Sequence, residues 1–215
     1  MNKQNYSLVL EQTIAAAVAE GKRPSLLLHA CCAPCSSYVL EYLANYFNIT
    51  LFFFNPNISP EEEHDFRLKE LSRLIKEMPL PSSVKLMSGR YCPEEFYEMA
   101  RGLEDLPEGG SRCHGCYRLR LAECASVARE NGFDYFTTTL SISPYKNAQW
   151  LNDIGREEGE RVGVSYLFSD FKKKNGYKRS CQLSEEYGLY RQDYCGCEFS
   201  RRDAERRKAE KTKII

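Results

Sequence analysis

The chain has 215 residues, 42% of them hydrophobic and 28% charged, with 30 acidic and 30 basic side chains in balance. This composition suits a soluble globular protein with an ordinary core; it excludes a disordered chain and a globally cationic protein, though not a local basic patch. No segment approaches the run of ~18 apolar residues that spans a bilayer.

The N-terminal stretch carries Glu11 and Glu20 around a short apolar segment. It reads as an amphipathic helix rather than a signal peptide, which points to a cytoplasmic protein. Residues 1–215 are expected to form one domain, with a core over about residues 24–200 and a helical appendage at each end. Cytoplasmic thiols stay reduced, so the ten cysteines suggest metal binding or redox chemistry rather than disulfide staples.

In chain order, SLLLHA from Ser25 is a buried strand, CCAPCSS follows, and SSYVLEYLANYF is a helix. ITLFFFN from Ile49 is a second strand, stopped by Pro56. SPEEEHDFRLKELSRLIKEM is a helix with a cap at Ser59 and acids in its first turn. VKLMSG from Val84 is a third strand, and PEEFYEMARGLED a helix with Pro93 near its first position. After the loop LPEGGSR, CHGCYRLRLAECASVARENG is a helix ended by Gly132. DYFTTTL from Asp134 and VSYLFSD from Val164 are the last two strands, with a helix from Asn147 to Glu160 between them. A Lys- and Tyr-rich region and a charged helix complete the chain.

The alternation predicts an α/β fold, a doubly wound parallel sheet of about five strands with helices on both faces. Such sheets bind ligands beyond the carboxyl ends of their strands, at the topological switch point. The cysteine loop follows the first strand and LSISPYKNA follows the fourth, so both lie where chemistry is expected.

Cys31, Cys32 and Cys35 lie in H-A-C-C-A-P-C at a strand-to-helix turn, and Cys113 and Cys116 form a C-x-x-C at another helix start. A helix N-terminus favours thiolate over thiol through its free N–H groups and dipole. If the fold unites the two motifs, they supply the four or five thiolates that an iron–sulfur cluster needs. A structural zinc site and a thiol redox site remain alternatives, although adjacent cysteines fit a zinc knuckle poorly. Cys195-Gly196-Cys197 is a second constellation. A disulfide within C-x-C is strained and labile, which suits redox work; two buried thiols or two further metal ligands are the alternatives. Cys124 reads as a small core residue, His29 as structural, His64 as solvated in an acidic helix, and His114 as tuning the C-x-x-C. FKKKNGYKR from Phe171 and YGLYRQDY from Tyr187 mix basic and aromatic residues, as surfaces for single-stranded RNA do; a solvated loop has the same composition.

H-A-C-C-A-P-C-S-S, F-F-N-P-N-I ending at Ile58, R-C-x-x-C-Y-x-L-R from Arg112, T-T-T-L-S-I-S-P-x-K-N from Thr137, S-D-F-K-K-K-x-G-Y from Ser169 and L-Y-R-Q-x-Y-C-G-C from Leu189 form a distinctive set. From about Ser25 to Ser200 the chain resembles the QueH-type epoxyqueuosine reductases. The resemblance implies an oxidoreductase that reduces the epoxide of epoxyqueuosine to queuosine at the tRNA wobble position, in the tRNAs for aspartate, asparagine, histidine and tyrosine, with an electron donor. It further implies a 4Fe–4S cluster on Cys31, Cys32, Cys113 and Cys116, a redox-active pair at Cys195 and Cys197, and a second, mononuclear iron for which Cys35 is a candidate ligand. The implied fold is Rossmann-like, similar to the adenine nucleotide α-hydrolases. Their S-G-G-x-D-S phosphate loop is absent here and cysteines stand in its place, which argues against ATP use. An iron–sulfur-dependent tRNA sulfur-transfer enzyme and a zinc-stabilised RNA-binding module are the competing readings. Tyr194, Asp170 and Tyr177 are proton-donor candidates by position.

Overall fold

The computed structural model describes residues 4–212. Five strands, β1 (Ser25–His29), β2 (Asn48–Phe53), β3 (Lys85–Ser88), β4 (Tyr135–Thr138) and β5 (Ser165–Tyr166), form one sheet in the order β3-β2-β1-β4-β5. All pairings are parallel, with Leu27 opposite Thr50 on one side and Phe136 on the other. The α/β expectation therefore holds. Because β1 and β2 are covered on both faces, they read as continuous apolar runs rather than as alternation.

Helices lie on both sides of the sheet. Leu26 and Leu28 face one core with α1 (Tyr6–Ala19), α2 (Ala33–Leu43) and α3 (Glu61–Glu77), through Leu10, Val39, Leu40, Leu71 and Leu74. Leu27 points the other way, into a core with Phe52, Phe136, α5 (Ser111–Glu130) and α6 (Ala148–Val162), through Leu121, Cys124, Leu151 and Ile154. The period of two along β1 thus divides the two cores. A smaller cluster joins α4 (Pro93–Ala100) to the start of α8 (Glu198–Thr212) through Phe96, Cys116, Cys197 and Phe199.

Three expectations change. The helix after β2 begins with Pro60 in the cap position and no side-chain cap bond; the Ser59 N–H instead donates to the Gly196 carbonyl at 3.1 Å. His64 is buried, not solvated: its ring lies against those of Phe53 and Tyr91. The Lys- and Tyr-rich region contains a helix, α7 (Gly176–Glu186), packed against α2. No helix among the described residues is long and apolar enough to cross a membrane.

A candidate sulfur site at the switch point

The chain builds outward from β1 in one direction through β2 to β3, then returns to the other side of β1 for β4 and β5. The switch point lies between the carboxyl ends of β1 and β4, where neighbouring loops diverge and leave a crevice. After β1 the chain enters Cys31 and Cys32, with Cys32 in the cap position of α2 and Pro34 in its first turn. After β4 it makes a short 3-10 turn over Thr139–Ile142. His29 locks the two exits together. One ring nitrogen lies 3.0 Å from the Phe54 carbonyl and so carries the proton; the other, 2.9 Å from the Thr138 hydroxyl, accepts. Burial, then the nearby Arg120 charge, hold its pKa down to about 3. The imidazole is a neutral structural clamp, as expected.

The sulfurs of Cys31, Cys32 and Cys35 all lie within 4.8 Å of one another, a grouping able to hold a metal ion. Cys31 and Cys32 are 3.7 Å apart. Their mutual hydrogen bond holds the Cys32 thiol well below the usual range and pushes Cys31 up to about 12. Bonds to both neighbours, together with burial, raise Cys35 well above its ordinary value. Cys113 and Cys116 stand in the first turns of α5. Cys113 accepts the Gly109 N–H at 3.3 Å and packs in the same core as Cys31 and Cys32. Cys116, pushed up to about 11 by burial, packs instead with Cys197 and Cys195. Cys195 and Cys197 are free thiols 3.5 Å apart. Their shared hydrogen bond lowers Cys195 and raises Cys197, and the Ser200 hydroxyl, 3.1 Å from the Cys195 sulfur, adds a second contact. Among the described residues, the grouping within 4.8 Å holds Cys31, Cys32 and Cys35 but not Cys113 or Cys116, which stand in two separate packing clusters beside it.

The site faces a cavity of about 750 Å³ whose wall includes Cys31, Cys32, Cys35, Cys195, Tyr177 and Tyr194. That volume lies within the range of small-molecule sites and accommodates a nucleoside. Of the three proton-donor candidates, Tyr177 and Tyr194 border it; Asp170 lines an adjoining concavity and is paired with Lys172 at 2.6 Å.

Three buried cations, Arg67, Arg112 and Arg120, and the largely buried Lys146 were not singled out by sequence reasoning. Arg67 from α3 pairs with Glu63 and donates to the Cys195 carbonyl at 3.2 Å. Lys146 pairs with Glu108 at 3.0 Å and faces Cys195. Arg112 donates to the carbonyls of Leu103, Glu104 and Leu106. Arg120 completes the set. Arg112, Arg120 and Lys146 all stood inside the quoted motifs, and Arg120 falls one helical turn beyond Cys116, the available signal.

A parallel sheet with paired thiol motifs at its switch point defines a Rossmann-like α/β protein with a sulfur site able to hold a metal. The model of the family described as "Epoxyqueuosine reductase QueH" matches residues 26–203. The protein so named from Streptococcus pyogenes serotype M1 is 44% identical over 200 residues, covering 92% of this chain and 78% of its own. That from Staphylococcus epidermidis is 43% identical over 202 residues, covering 92% and 85%. That from Thermotoga maritima is 36% identical over 182 residues, covering 82% and 90%. This chain belongs to the epoxyqueuosine reductase QueH family.

Proposed function

We propose that this chain is an oxidoreductase that reduces the epoxide of epoxyqueuosine to queuosine at the wobble position of tRNA, in the cytoplasm. The observation that carries the chemistry is the Cys31–Cys32–Cys35 grouping, within 4.8 Å, on the wall of a nucleoside-sized cavity. Family membership supplies the reaction class. The relatives it matches are named reductases, which favours this reading over sulfur transfer or a zinc-stabilised module.

The donor set fits an iron–sulfur group. It consists of soft sulfur ligands in a buried setting, and the cations Arg120 and Lys146 stand on the wall of the same cavity. Cys31, Cys32, Cys113 and Cys116 would hold a 4Fe–4S cluster, and Cys35 would offer a ligand to a second, mononuclear iron. When bound, such a group supplies electrons one at a time.

The chain's own residues do the rest. The cavity holds the nucleoside beside Tyr177 and Tyr194, whose rings offer stacking faces for a base drawn from an anticodon loop. Opening an epoxide to an alkene with loss of its oxygen as water consumes two electrons and two protons. Oxidation of the Cys195/Cys197 dithiol to a disulfide releases the same number of each. The short sulfur separation and the lowered Cys195 thiol favour that pair as the immediate source, with an external donor reducing the disulfide afterwards.

The test is direct. Protein purified without oxygen is incubated with epoxyqueuosine-containing tRNA and a reductant, the tRNA is digested, and nucleosides are separated by mass. Conversion to queuosine with iron and sulfide bound to the chain is expected. An iron-loaded protein that leaves epoxyqueuosine intact would overturn the assignment.

A further inference from the structure

Four cationic side chains, three buried and Lys146 largely so, lie near the cysteines, and three of the four have their charge or their donors satisfied by protein. Arg67 has the Glu63 carboxylate, Lys146 has that of Glu108, and Arg112 has three backbone carbonyls. Arg120 differs. It is 4% exposed and has no carboxylate partner among the described residues. Its one hydrogen bond runs from Nε to the Cys116 carbonyl at 3.1 Å, and its remaining contact is with the Tyr117 ring. The guanidinium borders the cavity that Cys31, Cys32, Cys35 and Cys195 line. The ionisable groups that bear on its charge are the thiols of Cys116, Cys31 and Cys195 and then the Tyr117 phenol, with no carboxylate among them.

An arginine does not shed its proton in a protein, so burial leaves a fixed positive charge that needs an anion. A thiolate-ligated iron group is such an anion, and it becomes more negative on reduction. A cation fixed beside it in a low-dielectric setting stabilises the reduced form over the oxidised one. The placement follows from sequence: Arg120 is four residues beyond Cys116 and seven beyond Cys113, so it shares their helix face.

We propose that Arg120 is the counter-charge of the sulfur site, a positioning residue that raises the reduction potential of the metal group bound there. The proposal rests on the iron–sulfur reading above and concerns a residue outside the ligand set.

The experiment uses the full chain, reconstituted with iron and sulfide without oxygen, as wild type and as Arg120→Lys, Arg120→Gln and Arg120→Met. Iron per chain, thermal melting by circular dichroism and the midpoint potential by spectroscopically monitored titration are measured for each. The neutral variants should shift the midpoint to more negative values, whereas Arg120→Lys should stay near wild type. Loss of iron from folded neutral variants, with iron kept by Arg120→Lys, would also support the proposal, since it ties loading to charge. An unchanged midpoint in a folded, iron-loaded Arg120→Gln or Arg120→Met overturns it. So does loss of iron from all three folded variants, or unfolding of both neutral ones, because shape would then account for the residue. Wild-type protein that takes up no iron would instead refute the metal reading on which the proposal stands.

Discussion

Arg67 donates from Nη1 to the carbonyl of Cys195 at 3.2 Å, so a helix that follows β2 holds the chain segment carrying the C-x-C pair, 128 residues away. The neighbouring Ser59 N–H to Gly196 carbonyl bond, at 3.1 Å, makes a second tie between the same two segments. Together they set the C-x-C turn against the turn after β2. Gly196 permits this, with φ of +117°.

The first prediction follows. A Cβ at residue 196 would lie 2.9 Å from Ile58 Cγ1 and 3.1 Å from Arg67 Nη1, in a backbone region that side-chain-bearing residues rarely enter. Gly196→Ala should cost about 1–3 kcal/mol of stability. It should also slow turnover by displacing Cys195, while iron bound at the other cysteines is kept. Melting temperature, iron content and turnover check this; an unshifted melting curve with full activity would mean that the turn relaxes freely.

The cysteines should separate into three classes. Cys31→Ser, Cys32→Ser, Cys113→Ser and Cys116→Ser should each lower iron content and abolish reduction, because a hydroxyl is a poor replacement for a soft thiolate. Cys195→Ser and Cys197→Ser should keep iron and slow turnover at least tenfold. Iron loss in this second class would make the pair metal ligands, and unchanged turnover would leave it structural. Cys35→Ser, by contrast, should remove at most one iron per chain and leave the cluster spectrum in place.

His29 gives a pH dependence of stability. Its folded pKa is held down to about 3 by burial and then by Arg120, against an ordinary value of 6.5. The unfolded chain therefore takes up a proton below pH ~6.5 that the folded chain refuses. Stability from this group is present above pH 6.5 and falls by about 1.4 kcal/mol per pH unit as pH drops from 6.5 toward 3. Chemical denaturation of metal-free protein across pH 4–7 should show that slope, and His29→Gln, less stable at neutral pH, should show a shallower one. Parallel curves for the two proteins would remove His29 as the source.

The sheet was legible because β1 and β2 are short apolar runs, ended by the cysteine loop and by Pro56, and because strand–helix alternation leaves few topologies. The cysteine motifs were equally legible, since both fall at helix starts. What escaped were features whose signal is not apolar. Helix α7 buries Gly176, Ser180, Leu183 and Ser184, a mostly small, polar stripe that permits close packing on α2 and offers only one apolar side chain as a sequence cue. A Cβ on Gly176 would come within 2.0 Å of the Phe171 carbonyl. His64 sits among acids in sequence, yet Glu61, Glu62 and Asp65 are exposed while its ring fills the space between Phe53 and Tyr91. Burial of Arg67 and Arg120 was not read from the sequence, because it depends on the distant segments that pack around them.

The RNA surface supplies the last prediction. Lys172, Lys173 and Lys174 line a concavity that shares Pro144, Tyr145 and Lys146 with the wall of the sulfur cavity, so a backbone tracked by these lysines would pass the site's mouth. On α7, Lys178 and Arg179 continue the basic stretch, with Arg179 paired to Glu41 and Glu186. Two of the three lysines already have acidic partners, Lys172 with Asp170 and Lys174 with Glu11. Binding must exchange those pairs for phosphates, so the net gain per lysine is smaller than for a free cation. Each phosphate contact on a single strand contributes about 0.7 to the slope of log affinity against log salt. Changing all three lysines to Ala should weaken tRNA binding and flatten that slope by between about 0.7, if Lys173 alone makes a contact, and about 2, if all three do. Iron content and the cluster spectrum should not change, and reduction of a free nucleoside should fall less than reduction within tRNA. A triple variant with an unaltered salt slope would place the RNA surface elsewhere, and would leave Lys172 and Lys174 as members of surface ion pairs whose stabilising effect is about 0–1 kcal/mol each, beside an exposed Lys173.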